Sequence, residues 1–491
     1  MVTNWLIRLL LIFYSCTRAN GALVNATLVP APEQFEAGKV IDPVICKADP
    51  SQSYALYIPA KGKRDPAKGN GGPLPVIYFF DPHGDGALPL NKYKSLADAY
   101  GFILAGSNNS KNGNDWPATE DIWRHLFEDS RSRLKIDGGR VYTGGFSGGA
   151  KVAGYVALQH PGIKGVIANG AGLPDGVPAG DFNFSFTAIA GEGDMNLTDL
   201  TTLNNDLDKG RTRHRILFFA GKHEWAPLYT MNTAFAGLQL DAMREGLIPK
   251  DEVFINRYIV NSKNRLAAYD KASQPVTKKD QPIKETNHSS REANQPAKGT
   301  DQLLKAMQEC RVSISFLDGL APAAGWFREK AAALAGNELY QKQRQSADLL
   351  LRREEDTKAG YGSQFQQGDT HYWVSTIHDL QTKAAAKTAE GAMYQRLLAY
   401  LSLAFYSFSN HLINSGQNNE ARRFVELYKL ADPSNSEAWY FSAILHARDG
   451  QAQAAQSDLL KAADLGFRDR DRLRQQPEFK NLSLPPLPQR K

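Results

Sequence analysis

At 491 residues and 54.2 kDa the chain exceeds what one hydrophobic core usually supports, which predicts about three structural regions and excludes a single small module. Apolar residues at 42%, charged residues at 22% and aromatics at 10% exclude collagen-like, wholly disordered and multi-spanning membrane classes. Lys and Arg number 58 against 52 Asp and Glu, and this net +6, spread without long basic runs, gives no footing for nucleic-acid binding.

The N-terminal apolar run from Trp5 to Tyr14, interrupted by Arg8, is too short for a bilayer core, which takes about 20 apolar residues. With Ala19, Gly21 and Ala22 behind it, the run predicts a cleavable export signal over residues 1–22, the alternative being a retained anchor. Cys16 after Ser15 offers a lipid-anchor site, the one membrane attachment expected, so the chain is expected to be periplasmic, secreted or lipid-anchored. The three cysteines show no zinc-ligand spacing and cannot build a disulfide scaffold; pairing of Cys46 with Cys310 stays open.

Residues 23–272 read as one α/β domain. Strands are expected at 54–58, 76–80, 102–105, 140–143, 165–168, 184–190 and 216–220, with helices at 92–100, 122–134, 148–160 and 197–207 between them. This alternation predicts a mostly parallel sheet covered by helices. Helices follow at 229–245 and 252–272. Residues 273–299, poor in apolar side chains, read as a flexible loop or linker.

The sharpest feature is Gly145-Phe146-Ser147-Gly148-Gly149, which lies between an expected strand and a helix of small residues. A serine nucleophile must be presented in the open beside a base. A G-x-S-x-G reversal from strand to helix presents it so, because glycines remove the side chains that would clash. On such a sheet the partners follow as an acid and then a histidine, at the C-terminal strand ends where ligands bind. Asp194 follows the strand at 184–190, with Glu192 and Asp199 as substitutes, and His223 follows the strand at 216–220. His214 begins its strand and is a poor rival. The oxyanion needs backbone donors: Gly148 supplies one amide, and Asp85 or Gly84 in the loop Asp81-Pro82-His83-Gly84-Asp85-Gly86 supplies the other. His83 with Asp85 lacks a third metal ligand, and neither metal nor cofactor is expected. Trp116 and Trp225 are candidate substrate-stacking residues, Trp116 closing the polar loop that starts at Asn108. His371, Tyr372 and Trp373 read as core.

Together the Ser53-Tyr-Ala-Leu-Tyr-Ile-Pro opening, the His83-Gly84 loop, the Ser147 turn and Lys222-His223-Glu224-Trp225 make this part resemble an α/β-hydrolase. It is most similar to exported esterases of the poly(3-hydroxybutyrate) depolymerase, feruloyl esterase and acetyl xylan esterase kind. The resemblance covers under half of the chain and implies Ser147 as nucleophile, His223 as base and Asp194 as its orienter. It also implies ester substrates that are polymeric or acylated sugars. Asp81-Pro82 departs from the family, which usually carries an apolar residue there, and so does the long C-terminal half.

That half reads as all helical, with a first region at 300–384. Over 385–484 a period of 34 superposes Phe405 on Trp439, Tyr406 on Tyr440, Ser409 on Ala443, Gly416 on Gly450, Ala421 on Ala455 and Val425 on Leu459. The spacing resembles the tetratricopeptide repeat, with Pro433 at the closing position and Phe467 departing from it. Two repeats are visible where about three are usually needed. The resemblance implies a surface for a protein partner or for self-association. The expected function is that of a serine hydrolase cleaving carboxylic esters. The alternatives are a peptidase of the prolyl oligopeptidase kind, for which no propeller-like strand series exists, and an inert exported scaffold.

Overall fold

The computed structural model describes residues 35–60, 72–273 and 301–482. The export segment at 1–22, Cys16 and residues 274–299 of the expected linker lie outside them. None of the helices among the described residues is long and apolar enough to cross a membrane.

Among the described residues eight strands form one sheet: β1 (Val40–Ile45), β2 (Ser53–Tyr57), β3 (Leu74–Phe80), β4 (Ile103–Ser107), β5 (Ile136–Phe146), β6 (Ile163–Asn169), β7 (Ser185–Gly191) and β8 (His214–Phe219). Their order is β1-β2-β4-β3-β5-β6-β7-β8, with the β1–β2 and β2–β4 pairings antiparallel at one edge and the other five pairings parallel. β1 has no counterpart among the expected strands: Pro43 interrupts its run, and the register slips between Ile41 and Val44.

β3 shows how the sheet forms. Its run LPVIYFF is buried on both faces, as parallel strands between helical layers are. With a side-chain period of two, Tyr78 and Phe80 turn to one face and meet Trp123 of α2 (Trp116–Arg133), at ring separations of 5.0 and 6.4 Å. Phe79 turns to the other face and meets Tyr93 of α1 (Ala87–Tyr100) at 6.0 Å. On that face lie also α5 (Leu228–Arg244) and α7 (Gln302–Leu317). A methyl on Gly237 of α5 would collide with Phe316 of α7, so these two helices touch at a glycine. α7 also runs along β8, where Ser315 Oγ donates to the His214 carbonyl at 2.8 Å.

An ion pair is buried at this junction. Asp241 of α5 accepts from Arg215 of β8 at 2.8 Å and from Arg244 at 2.6 Å. Burial alone would push its carboxyl up, but the two guanidinium groups outweigh it and hold it below the usual carboxylate range. A carboxyl lowered in the folded state contributes stability that is complete above its unfolded value of about 3.9 and is lost as pH falls through the folded value. The pair therefore fails only in acid. Asp241→Asn leaves Arg215 buried without its counter-charge and is expected to cost about 3–5 kcal/mol at neutral pH, read from the denaturant midpoint.

Beyond α6 (Glu252–Ser273) and α8 (Ala323–Ala335) the chain continues as α9 (Glu338–Gln367), α10 (Thr370–Ala384), α11 (Ala389–Asn414), α12 (Asn418–Ala431), α13 (Ser436–Arg448), α14 (Ala452–Asp464) and the short α15 (Arg470–Gln475). Phe405, Ala421, Val425, Ala443, Ala455 and Leu459 are buried between these helices, and Gly416 and Gly450 end α11 and α13 with φ of 75° and 73°. Trp373 is wholly buried against Phe365 and Phe405, whereas His371 and Tyr372, expected in the core, are exposed. Cys46 and Cys310 are both free and buried, which rules out their pairing. Burial pushes their thiols up, to about 11 and about 12.

Candidate active site

Because β3 and β5–β8 run parallel, their C-terminal ends open on one edge, and each of the expected chemical residues follows one of those ends. Ser147 sits between β5 and α3 (Gly148–Gln159) with φ 54° and ψ −123°, the one non-glycine residue with positive φ among the described residues. The reversal is tight: a methyl on Gly149 would strike the Phe80 carbonyl, and one on Gly145 the Gly149 carbonyl. These are the close approaches that the glycines flanking the serine allow. The Ser147 amide donates to the Asn169 carbonyl at 2.8 Å, tying the turn to the end of β6.

His223 stands between the other two groups. Its Nε2 lies 2.9 Å from Ser147 Oγ and its Nδ1 2.9 Å from Asp194 Oδ1. Asp194 is wholly buried, and its Oδ1 also accepts from the Asn196 amide at 2.9 Å. The Phe146 ring packs on the imidazole at 4.7 Å. Gly170, with φ 71°, lies beneath: a Cβ there would come within 3.1 Å of His223 Cε1 and 3.2 Å of Asp194 Oδ2. Of the other candidates, Glu192 pairs with Lys305 and His214 with Asp208.

The loop at Asp81–Gly86, expected to supply a backbone donor, corrects one expectation. The Gly84 amide donates to the Asp81 carbonyl at 3.1 Å, so it is consumed by the turn. The amides of His83 and Gly86 are likewise engaged, with Asp81 Oδ1 at 2.9 Å and Asn108 Oδ1 at 3.2 Å. Asp85 ties into the first turn of α1, its carboxylate accepting from the Leu88 amide at 3.2 Å. Gly148 opens α3, where the first amides have no acceptor within the helix.

The second correction concerns Trp225. At 7% exposure it is packed among Phe79, Tyr93 and Phe146, and its Nε1 donates to Asp81 Oδ2 at 2.9 Å. It supports the histidine turn from below and offers no face to a ligand. Asp81 is the residue that anchors it. Burial raises the Asp81 carboxyl, but hydrogen bonds from His83 and Trp225 carry it below its ordinary value. Its partner His83 is exposed at the lip, raised mainly by the bond to Asp81 and further by Glu437 of α13, with Arg472 of α15 opposing.

Trp116 is 40% exposed and stacks on Tyr155 of α3 at 4.4 Å and 12°. Within the loop it closes, Asn112 comes nearer Ser147: its Oδ1 fills the space a side chain on Gly148 would need. Sequence reasoning takes Asn112 only as part of the polar loop on the substrate side, and assigns no role to Asn169, which is wholly buried. Asn169 accepts from the Ala226 amide at 2.7 Å and donates to the Glu224 carbonyl at 3.2 Å, holding the histidine turn from both sides. Its only signal is a polar residue closing an apolar strand. Among the described residues one group of metal-ligand types gathers, Asp49, Asp121 and His125, and Gln52 and Arg124 already occupy its acceptors.

No protein-family model matches the chain, and no curated protein matches it. Among solved structures the chain is similar to a hyperthermophilic esterase from the archaeon Pyrobaculum calidifontis, at 12% identity over 42% of this chain and 85% of that one, with a TM-score of 0.33. A fungal esterase from Rhizomucor miehei gives 14%, 42%, 84% and 0.32. A fluorophosphonate-binding serine hydrolase from Staphylococcus aureus gives 9%, 38%, 92% and 0.31. The architecture, read from its own strand order and from the strand–turn–helix at Ser147, is that of an α/β-hydrolase sheet followed by an all-α region.

Proposed function

We propose that the chain is a serine hydrolase that cleaves carboxylic esters through an acyl-enzyme. The observation that carries this reading is the imidazole of His223 placed 2.9 Å from Ser147 Oγ on one side and 2.9 Å from Asp194 on the other. With its Nδ1 proton donated to Asp194, His223 keeps the Nε2 lone pair for the serine proton. Ser147 Oγ attacks the ester carbonyl carbon as Nε2 takes that proton. The resulting oxyanion is met by the amides of Gly148 and Asp85. Collapse breaks the bond to the alcohol oxygen, which leaves with the proton from Nε2. Water, deprotonated by the same nitrogen, then attacks the acyl carbon; the bond to Ser147 Oγ breaks, Oγ takes the proton back from Nε2, and the acid leaves.

The substrates proposed are esters of polymers or acylated sugars, with Asn112 and Trp116 of the polar loop on the substrate side. Export, with or without a lipid on Cys16, is the proposed route to them. Intact mass after treatment with a fluorophosphonate is expected to show one adduct on the Ser147 peptide, alongside turnover of short-chain nitrophenyl esters. A folded protein that gains no mass and turns over no ester would sink this reading.

A further inference from the structure

The turn that carries Asp194 is bonded from two directions. Toward the sheet, its amides donate: Glu192 to the Phe219 carbonyl at 2.9 Å and Gly193 to the Gly221 carbonyl at 2.8 Å. Two of its carbonyls are met from the helical region. Arg396 of α11 donates through NH1 to the Glu192 carbonyl at 2.7 Å. Lys358 of α9 donates through Nζ to the Met195 carbonyl at 2.9 Å and lies 3.2 Å from Thr198 Oγ1. The two carbonyls stand two residues before Asp194 and one after it.

Both cations are set by one carboxylate. Glu354 of α9 is wholly buried; its Oε2 takes Arg396 Nε at 2.8 Å and NH2 at 2.7 Å, and its Oε1 lies 2.9 Å from Lys358 Nζ. A buried glutamate persists as an ion only when it is paired, and a guanidinium engaged through two nitrogens is fixed in plane as well as in distance. Arg396 is itself buried, so its remaining nitrogen is aimed at Glu192 with little freedom. By contrast the pair of Lys305 with the Glu192 side chain, 3.2 Å apart and partly exposed, holds the turn only weakly.

We propose that Arg396, Lys358 and Glu354 form a clamp by which the helical region holds Asp194 in line with His223, a role that rests on the serine-hydrolase reading above. The helical region is then a positioning part of the site, and its buried charges act on the reaction through the acid turn. Because orientation of the imidazole is needed only as the serine proton moves, loosening the turn lowers kcat and leaves KM nearly in place.

The full chain tests this with Arg396→Met, Lys358→Met and Glu354→Gln beside the wild type, measured by nitrophenyl acetate turnover and by the rate of fluorophosphonate labelling. Each variant that folds, by far-UV circular dichroism and a cooperative thermal transition, is expected to lose about 10- to 100-fold in kcat and in labelling rate, with KM within about twofold. Arg396→Lys, which keeps a cationic donor for the Glu192 carbonyl, is expected to recover most of the loss. Folded variants that label at the wild-type rate would overturn the clamp, as would failure of all three to fold, since the residues would then be structural only. A folded wild type that stays unlabelled sinks the hydrolase reading and the clamp with it; a labelled wild type beside equally fast variants sinks the clamp alone.

Discussion

Ser147→Ala is expected to lower kcat for a short-chain ester by about 10⁶-fold and to abolish the fluorophosphonate adduct. The size follows from how the three side chains act as a unit. With the hydroxyl gone, His223 Nε2 has lost the Ser147 Oγ that stands 2.9 Å away, and the imidazole no longer has a proton to move from nucleophile to leaving group. What is left is binding and the oxyanion amides, which by themselves sustain about 10³- to 10⁴-fold over water. Folding should be untouched, because alanine demands no more of the turn than serine does. A variant that keeps more than about a hundredth of the wild-type rate would place the chemistry on another residue.

Asp194→Asn is expected to cost about 10⁴-fold in kcat with the site geometry kept. The substitution is isosteric, and Oδ1 already accepts two donors, the His223 Nδ1 proton at 2.9 Å and the Asn196 amide at 2.9 Å. An asparagine with its oxygen at that position still accepts from both, but carries no charge to stabilise the imidazolium that forms as Nε2 takes the serine proton; turned the other way, it sets its NH2 against Nδ1. A donor facing Nδ1 forces the imidazole proton onto Nε2, the nitrogen that must receive the proton of Ser147. The variant should therefore fold and bind a product acid as the wild type does, yet label slowly. Wild-type labelling kinetics in folded Asp194→Asn would show that the carboxylate does not orient the histidine.

The parallel strands and the three principal side chains are legible in the amino-acid order because their signals are local. Apolar runs such as those of β3 and β6 are buried on both faces and announce themselves by composition, and a glycine-flanked serine between strand and helix announces its turn. Asn169 and the Arg396–Glu354 pair carry no such local signal. Their partners are remote, Arg396 lying 204 residues from the carbonyl it binds. Trp225 escapes a local reading for the same reason: an aromatic beside the histidine looks like a ligand platform until Asp81, 144 residues away, is seen to hold its indole. Gly84 is no donor to the site because which amide of a short loop is consumed by the turn depends on backbone angles, and a sequence of small and polar residues permits several. β1 is hidden because Pro43 masks a run that is otherwise strand-like.

The left-handed backbone at Ser147 carries a thermodynamic consequence. A serine held at φ 54° costs on the order of 1–3 kcal/mol relative to a residue free of the constraint, and glycine is the residue that removes it. Stability alone would thus favour a mute version of this protein, one mutation away, with the same sheet and the same helices. The serine sits uphill of that sequence, and the height of the step measures how much folding energy the chain forgoes to keep a hydroxyl beside His223.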